Sequence, residues 1–110
     1  MAGSDIYTGT LDLLILRAVS LRPMHGYAIA QWVRSHTADV LTLNEGSLYP
    51  ALHRLAAREW LAEEWRTSEN NREARFYELT PAGRKHLAAE TRRWHRYVGA
   101  VNAALSARGL

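Results

Sequence analysis

The N-terminal part of the chain carries an apolar stripe with helical spacing, from Thr10 to Leu21. Apolar side chains recur every three or four residues on this stripe, at Leu11, Leu14, Ile15, Ala18 and Val19. Thr10 is a suitable N-cap for the helix that this pattern predicts. Leu13 and Leu16 lie off the stripe, so the helix is apolar on two faces. A domain this small seldom buries a whole helix, and we therefore expect one face to meet a partner, as in a dimer.

A second helix and a short strand are predicted next. Arg22-Pro23 breaks the first helix, after which the helical pattern resumes from His25 to Thr37. Val40 to Leu43 is too short for a helix, and its β-branched content favours a brief strand. The following Asn44-Glu45-Gly46-Ser47 is a typical helix start.

The third predicted helix has an apolar inner face and a polar outer face. Pro50 lacks an N–H and fits only a first helical turn, so the helix begins near residue 46 or 47 and runs to about Glu59. Its inner stripe consists of Leu48, Ala51, Leu52, Leu55 and Ala56. Its outer face consists of Ser47, Tyr49, Pro50, His53, Arg54 and Arg58. This outer face carries hydrogen-bonding groups and no acid, which suits contact with DNA.

A β-hairpin is predicted after the third helix. Leu61 to Thr67 and Ala74 to Leu79 are short stretches rich in aromatic and branched residues, and the polar segment 68–73 separates them. Asn tolerates left-handed backbone, which suits the tip of such a hairpin.

The last predicted helix is long and carries a coiled-coil seam. Thr80-Pro81 is typical of an N-cap followed by a first helical residue, and the helix reaches about Ser106, a rod of ~40 Å. Its apolar positions follow steps of four and three, at Leu87, Thr91, Trp94, Val98, Val101 and Leu105. The charged residues lie off this seam. We expect the seam to pair with a second chain; the alternative is that it covers the core of its own domain.

Together these elements predict a mostly α (α+β) fold, a winged helix-turn-helix with a long C-terminal dimerisation helix. The expected organisation is a flexible N-terminus (1–9), the winged helix-turn-helix (10–80) and the dimerisation helix (81–110). In such a fold the third helix fits the major groove of DNA, and the hairpin, or wing, reaches the backbone or the neighbouring minor groove. Winged helices also serve as protein-binding modules, so the fold alone leaves the function open.

Composition narrows the possible functions. The 110 residues are 47% hydrophobic and 23% charged, ordinary values for a globular protein, and the lack of cysteine excludes a disulfide scaffold and thiolate chemistry. The net charge is +3, and residues 80–110 hold six basic residues and one acidic residue. The positive excess is therefore C-terminal and is by itself weak evidence for DNA binding.

The sequence predicts neither a membrane segment nor a signal peptide. The longest apolar run, Leu11 to Leu21, is about half a membrane span and contains Asp12 and Arg17. Residues 1–10 lack the basic start and the apolar stretch of a signal peptide. We therefore expect a cytoplasmic protein with no membrane partner.

Four segments of the chain resemble one known family. They are Leu11-Asp12-Leu13-Leu14-Ile15-Leu16, Met24-His25-Gly26-Tyr27, Gly46 to Leu55 (GSLYPALHRL) and Arg75 to Gly83 (RFYELTPAG). In this order and spacing they resemble the PadR transcriptional regulators over almost the whole chain, and the single C-terminal helix is similar to that of the smaller PadR subfamily. The resemblance implies a homodimeric repressor, without a cofactor, that binds a near-palindromic operator on double-stranded DNA and is released by a small molecule or another signal.

The outer face of the third helix and the family resemblance together predict which residues bind DNA. Tyr49 resembles the family's DNA-contacting tyrosine, and Tyr27 resembles its backbone-positioning tyrosine; shielding of a turn and packing are the respective alternatives. Ser47 lies at the helix N-terminus, where free N–H groups favour a phosphate, and Pro50 and His53 follow it in the same segment.

Arg54 and the wing supply the remaining candidates for DNA contact. Arg54 could bind a phosphate or a guanine edge, or be only solvated. The wing candidates are Asn70, Asn71, Arg72 and Arg75. Relatives often have a Gly- and Arg-rich tip there, whereas Glu69 and Glu73 lower the positive potential of this one. Tyr77 could reach a phosphate from the second wing strand or pack in the core.

Trp94 is the candidate centre of an effector site. It matches the position at which multidrug-binding PadR proteins place a tryptophan that stacks flat aromatic ligands between two subunits. Two such rings can hold a planar, often cationic, aromatic molecule by stacking and cation–π attraction. Leu13, Val98 and Asp12 are candidate wall residues. The alternatives are that Trp94 only fills the dimer core and that Asp12 only occupies a first helical turn.

Three other functions are alternatives to DNA binding. An enzyme is not expected, because no catalytic motif or phosphate-binding loop is present. A metal-responsive regulator would need ligands from different helices, since the five histidines show no metal-binding spacing; they are His25, His36, His53, His86 and His95. A winged-helix protein-interaction module is the remaining alternative, and the acidic residues between 45 and 79 favour it.

Overall fold

A computed structural model describes residues 9–109 as four helices and a three-stranded sheet. The elements are α1 (Thr10–Leu21), β1 (Met24–His25), α2 (Gly26–His36), α3 (Glu45–Ala57), β2 (Leu61–Thr67), β3 (Glu73–Leu79) and α4 (Pro81–Leu105). This is the predicted winged helix-turn-helix with a long C-terminal helix. The expected flexible N-terminus lies, apart from Gly9, outside the described residues.

Helices α1, α2 and α3 enclose the core, because each presents one apolar stripe to the others. The largest fully buried side chains are Ile15, Leu16, Met24, Ile29, Val33, Leu48, Leu52 and Leu55. Helices α2 and α3 each begin with a side-chain cap. The His25 ring nitrogen Nδ1 accepts a hydrogen bond from the Ala28 N–H at 3.1 Å, and Asn44 Oδ1 accepts one from the Ser47 N–H at 2.9 Å.

The sheet has the strand order β1-β3-β2, and both pairings are antiparallel. The short strand predicted at residues 40–43 is wrong. Its place in the sheet is taken by Met24 and His25, which pair with Tyr77 and Phe76. Residues 40–43 instead follow a left-handed turn at Ala38 and Asp39, with φ of 51° and 64°. The Leu41 N–H donates to the Thr37 hydroxyl at 3.2 Å, so it is used locally and not in a sheet.

The wing is the predicted hairpin: β2 has the predicted limits, and β3 begins one residue earlier than predicted, at Glu73. Asn71 lies in the turn with a left-handed φ of 60°, a conformation that asparagine adopts at low cost. The Ser68 N–H donates to the Arg72 carbonyl at 2.7 Å and closes the turn. In the register, Trp65 faces Arg75 and Glu63 faces Tyr77. Since cross-strand partners share a face, these four side chains lie on one face of the wing.

Helix α4 is fastened to the rest of the domain at its first two turns. Thr80 is the N-cap, as predicted, and accepts a hydrogen bond from the Gly83 N–H at 2.9 Å. Gly83 is packed so closely on the Trp60 carbonyl that a Cβ atom has no room there. His86 stacks on Trp60 with ring centroids 3.6 Å apart. Leu87 is buried in the domain core, so its assignment to the dimer seam is corrected.

Beyond Val98, α4 runs out of its own domain. The described part of the chain measures 62 × 31 × 21 Å along its principal axes, because the last turns of α4 have few other described residues beside them. Leu105 is 79% exposed, and Tyr97 and Val101 are also exposed. In residues 9–109 no helix is both long enough and apolar enough to cross a membrane.

Candidate DNA-binding surface

The N-terminal half of α3 presents a polar face that one chain leaves uncovered. Ser47, Tyr49, Pro50 and His53 are all exposed, while the residues between them, Leu48, Ala51 and Leu52, are buried. The buried residues hold the helix against the core, and the Asn44 cap fixes where it begins. The structure thus places the predicted contact residues of α3 on a firmly held helix.

Tyr49 is positioned by a glycine at the start of α2. A Cβ atom on Gly26 would lie 2.9 Å from the Tyr49 hydroxyl oxygen and 3.0 Å from its Cε1 atom, closer than ordinary contact allows. The tyrosine ring therefore lies directly on the backbone of Gly26. It remains 47% exposed, so it packs on one side and is accessible on the other.

Tyr27 stands at the first turn of α2 and is 66% exposed. Its hydroxyl accepts a hydrogen bond from Gln31 Nε2 one turn later. Its ring stacks loosely on His25, with centroids 6.4 Å apart. This exposure agrees with a surface contact and disagrees with the alternative that Tyr27 packs inside the domain.

A groove of 580 Å³ separates α2 and α3 from the wing. Six of the eleven predicted DNA-binding residues line it, namely Tyr27, Tyr49, Asn70, Arg72, Arg75 and Tyr77. Four others lie outside the groove, with Ser47, Pro50 and His53 on the exposed face of α3 and Asn71 in the wing turn. The groove brings together helix residues and wing residues that are about twenty or more positions apart in the chain.

The wing neutralises most of its own positive charge. Arg75 Nη1 lies 3.0 Å from Glu63 Oε1, and Arg66 Nη2 lies 3.2 Å from Glu64 and 3.6 Å from Glu78. These pairs are partly exposed and add little stability, but they cancel charge locally. Among the described residues, no carboxylate pairs with the Arg72 side chain. Arg72 is therefore the wing cation best placed to attract a phosphate.

Tyr77 forms the floor of the groove and is only 4% exposed. The expected phosphate contact of Tyr77 is therefore corrected in favour of core packing. Burial raises the pKa of the Tyr77 hydroxyl above its ordinary value of 10.0, and the negative charge of Glu63 raises it further, while Arg75 opposes both. The hydroxyl stays neutral up to alkaline pH and supports the groove from below.

Arg54 points away from the groove, toward α1. Its Nη2 atom is ion-paired with Asp12 Oδ1, so neither side chain is free in this state. The pair leaves the Arg54 and Asp12 side chains partly exposed, and it lowers the charge that Arg54 offers to DNA and that Asp12 offers to a cationic effector.

The predicted effector residues are only partly brought together. Leu13 and Trp94 line a pocket of 320 Å³ between α1 and α4, whose other walls include Tyr97, Glu90 and Arg93. The Trp94 and Tyr97 ring centroids are 6.2 Å apart. Asp12 and Val98 do not line this pocket. Asp12 and Leu13 are consecutive helical residues and therefore point about 100° apart.

Sequence reasoning missed Trp65 as a groove residue. The side chain is 60% exposed and lines the groove together with Tyr49. One feature of the sequence could have identified Trp65. It lies in a predicted wing strand opposite an arginine, where an aromatic ring is not needed for the core. Between residues 9 and 109 there is no group of three or more His, Asp or Glu side chains that could hold a metal ion. The metal-responsive alternative thus has no ligand set in that part of the chain.

Comparisons with known proteins agree with this arrangement. A transcriptional regulator of Mycobacterium tuberculosis is 38% identical over 88 residues, which are 80% of this chain and 78% of that protein. A protein from Streptococcus mutans has a crystal structure that matches with a TM-score of 0.78 at 28% identity, over 91% of this chain and 90% of that one. A PadR family transcription regulator from Clostridium difficile matches with a TM-score of 0.77 at 26% identity, over 89% of this chain and 100% of that one.

The fold and the exposed α3 face define the winged helix-turn-helix class of DNA-binding proteins. Residues 15–89 match the transcriptional regulator PadR-like family, and the chain belongs to that family. It is a DNA-binding transcription regulator.

Proposed function

We propose that this regulator is a homodimeric repressor that binds a near-palindromic operator. One observation carries the proposal: a polar, exposed recognition face on α3 and an apolar, exposed face on α1 and α4 lie on the same small chain. The apolar face includes the half-buried Leu13 and Trp94 and the exposed Val101 and Leu105. Pairing of two such faces would remove them from water, which is the main favourable term in association.

The α4 residues proposed for the dimer contact are Thr91, Trp94, Val98, Val101 and Leu105. The Thr91 hydroxyl donates to the Leu87 carbonyl at 2.7 Å, so its polar group is satisfied within the helix and its methyl group can face a partner. Two copies related by a two-fold axis would present two α3 helices, and successive major grooves on one side of DNA are about 34 Å apart. The operator would therefore be near-palindromic.

The proposed α3 contacts are Ser47, Tyr49, Pro50 and His53, and Tyr27 is proposed to hold the adjacent backbone. Asn70, Asn71 and Arg72 are the proposed contacts of the wing tip. Because Arg66 and Arg75 are already paired with carboxylates, we expect hydrogen bonds and aromatic contacts to contribute more than charge.

We further propose that a planar aromatic effector enters beside Trp94. The pocket of 320 Å³ contains two aromatic rings and an apolar wall, which suit stacking, and the proposed dimer contact runs through the same tryptophan. A ligand there would change the packing of α1 against α4 and so the distance between the two α3 helices. Release from the operator would follow.

The experiment that tests DNA binding is fluorescence anisotropy against DNA from upstream of the protein's own gene and against scrambled DNA, at several salt concentrations. We expect a preference for the upstream fragment that persists at physiological salt, where non-specific attraction to phosphates has weakened steeply. Tyr49→Ala should weaken that binding while sedimentation still detects two chains per particle. Equal binding of both fragments that salt abolishes would favour the protein-interaction module instead.

The experiment that tests the effector pocket is quenching of tryptophan emission by planar aromatic compounds. We expect Trp94→Phe to reduce the quenching, whereas Trp60→Phe, which alters a ring stacked on His86 outside the pocket, should leave it in place. Quenching that survives undiminished in Trp94→Phe would overturn the pocket assignment and leave the DNA-binding proposal intact.

A further inference from the structure

The groove between α3 and the wing contains a large exposed side chain that the proposed function does not use. Trp65 lies in the middle of β2 and is 60% exposed. Single apolar residues at a surface are common, but Trp65 shares its groove with two further exposed aromatic side chains, Tyr27 and Tyr49. Aromatic residues that converge on one concave site are typical of a contact surface.

Trp65 is held in place by its neighbours across the hairpin. The Arg75 guanidinium carbon lies 5.0 Å from the centroid of the indole ring, which is a cation–π distance. Arg75 is fixed in turn by its ion pair with Glu63 at 3.0 Å. The indole is therefore supported by the wing through one side, and its remaining surface is open to the groove.

The charge of the groove also points to an aromatic contact. Arg75 is engaged with both Glu63 and Trp65, and the side chain of Arg72 is the wing cation without a carboxylate partner in residues 9–109. A wing with one free cation gains little from attraction to phosphates. It can still bind a DNA strand by hydrogen bonds and by packing on the apolar faces of the sugars.

The position of the groove identifies the part of DNA that it would meet. With α3 in the major groove and the wing toward the neighbouring minor groove, the strand that separates the two grooves runs between them. Tyr49 would face this sugar-phosphate strand from α3 and Trp65 from the wing. An indole has a flat apolar face that suits a deoxyribose ring and an N–H group that can only donate, which suits a phosphate oxygen.

We propose that Trp65 is a DNA-backbone contact of the wing, packing on a deoxyribose and donating its Nε1–H to a phosphate. The inference rests on the proposed DNA-binding function and adds a residue to it. Since phosphates and sugars are the same in every sequence, Trp65 contributes affinity without selecting the operator. Arg75 and Glu63 act as positioning residues for the indole.

Anisotropy titrations of two Trp65 variants, with the upstream duplex and a scrambled duplex at low salt, test the proposal. Trp65→Phe keeps an aromatic ring beside Arg75 and removes the N–H, and it should weaken binding to both duplexes by the same factor, roughly threefold to tenfold. Trp65→Ala removes the ring as well and should weaken both further. Trp32→Phe is the matched control, because Trp32 stacks on His36 outside the groove, and it should bind as the wild type does.

Emission spectra separate a contact from a structural role. Addition of duplex should change the tryptophan emission of the wild type and of Trp32→Phe, and this change should be lost in Trp65→Phe at an unaltered melting temperature. Wild-type affinity in both Trp65 variants, with Tyr49→Ala impaired, would overturn the role of Trp65 and leave the regulator assignment standing. If the wild type binds neither duplex, the proposed function and this contact fail together.

Discussion

The groove between α3 and the wing and the outer face of α1 and α4 are both exposed, but they are built differently. In the groove, several side chains are held by other residues of the same chain, as Tyr49 is by Gly26 and Arg75 by Glu63. The far half of α4 has few such contacts, and Leu105 at its end meets mostly water. A surface whose charges and rings are already fixed needs no reorganisation to bind.

This difference indicates that the two regions bind different partners. The groove is complete in one copy, because the hairpin and two helices, α2 and α3, form its walls. The α1–α4 face is apolar and open, and the hydrophobic effect favours its being covered. Substitutions in either region, or in the contacts that hold the helices together, can test this difference.

The largest expected effect comes from Gly83, which packs α4 closely on the backbone of Trp60, just before β2. In Gly83→Ala the new Cβ would collide with the Trp60 carbonyl and approach Leu79 Cδ1 to 2.9 Å. Backbone cannot move aside as a flexible side chain can, so we expect a loss of about 3 kcal/mol in the free energy of unfolding. Urea denaturation monitored by circular dichroism measures this change.

Gly99→Ala is the matched control for Gly83→Ala, since it lies in the same helix and, apart from adjacent residues of that helix, no described residue lies within 4 Å of the added Cβ. It should be neutral or stabilising by up to about 1 kcal/mol, because alanine favours helix more than glycine does. Equal destabilisation by both substitutions would show that the close approach at Gly83 does not hold α4.

The second prediction concerns Gly26, which supports Tyr49 without facing DNA itself. Gly26→Ala should displace the tyrosine ring, whose hydroxyl oxygen would lie 2.9 Å from the new Cβ. Because the displaced group is the mobile end of a side chain, stability should change little. Operator affinity should fall about tenfold if the hydroxyl donates to a phosphate.

A double-mutant cycle makes the Gly26 prediction specific. In a Tyr49→Ala background, Gly26→Ala should have no further effect on affinity, since the side chain that it displaces is already absent. Additive losses in the double variant would mean that Gly26 influences DNA binding by another route.

A smaller effect is expected from the ion pair that links α3 to α1. Arg54→Gln and Asp12→Asn should each reduce the free energy of unfolding by no more than about 1 kcal/mol, because the Arg54 and Asp12 side chains are partly exposed to water. Operator affinity should fall less in Arg54→Gln than in Tyr49→Ala, as measured by anisotropy. A larger loss of operator affinity in Arg54→Gln than in Tyr49→Ala would show that Arg54 contacts DNA directly.

The smallest effect concerns Tyr77 and alkaline pH. The pKa of Tyr77 is raised in the folded protein, chiefly by burial and then by Glu63, so the unfolded chain loses this proton first as pH rises. The folded state then binds more protons than the unfolded state, and stability falls with pH above about 10. Tyr77→Phe, followed by urea midpoints between neutral and alkaline pH, should show a shallower decline. An identical decline in both proteins would exclude Tyr77 as its source.

Several features of the fold were predictable from the chain alone. The extent of α1, the Thr80 cap and Pro81 start of α4, and the left-handed Asn in the wing turn agree with the structure, although the N-cap of α1 is Gly9 and not the predicted Thr10. Each depends on residues within a few positions of one another, through helical periodicity, a capping oxygen or a tolerated backbone angle. The family resemblance rested on such local segments and is confirmed by the match over residues 15–89.

Other features depended on partners far away in the chain. Met24 and His25 form a strand only because β3 lies beside them, and Val40 to Leu43 form none because no strand is adjacent. The helical pattern predicts one continuous outer face of α3, yet Arg54 of that face is ion-paired with Asp12 of α1, 42 positions away. Trp65 became a groove residue only when the hairpin was placed opposite α3.

The sequence by itself determined the helices, the hairpin and the family, because periodicity, caps and turn residues act over short distances along the backbone. Only the tertiary structure decided which face of each element is used. It placed Tyr49 on Gly26, buried Tyr77 and Leu87, and left the end of α4 uncovered. Those outcomes depend on which elements meet in space, and packing between distant segments is not encoded in any single stretch of residues.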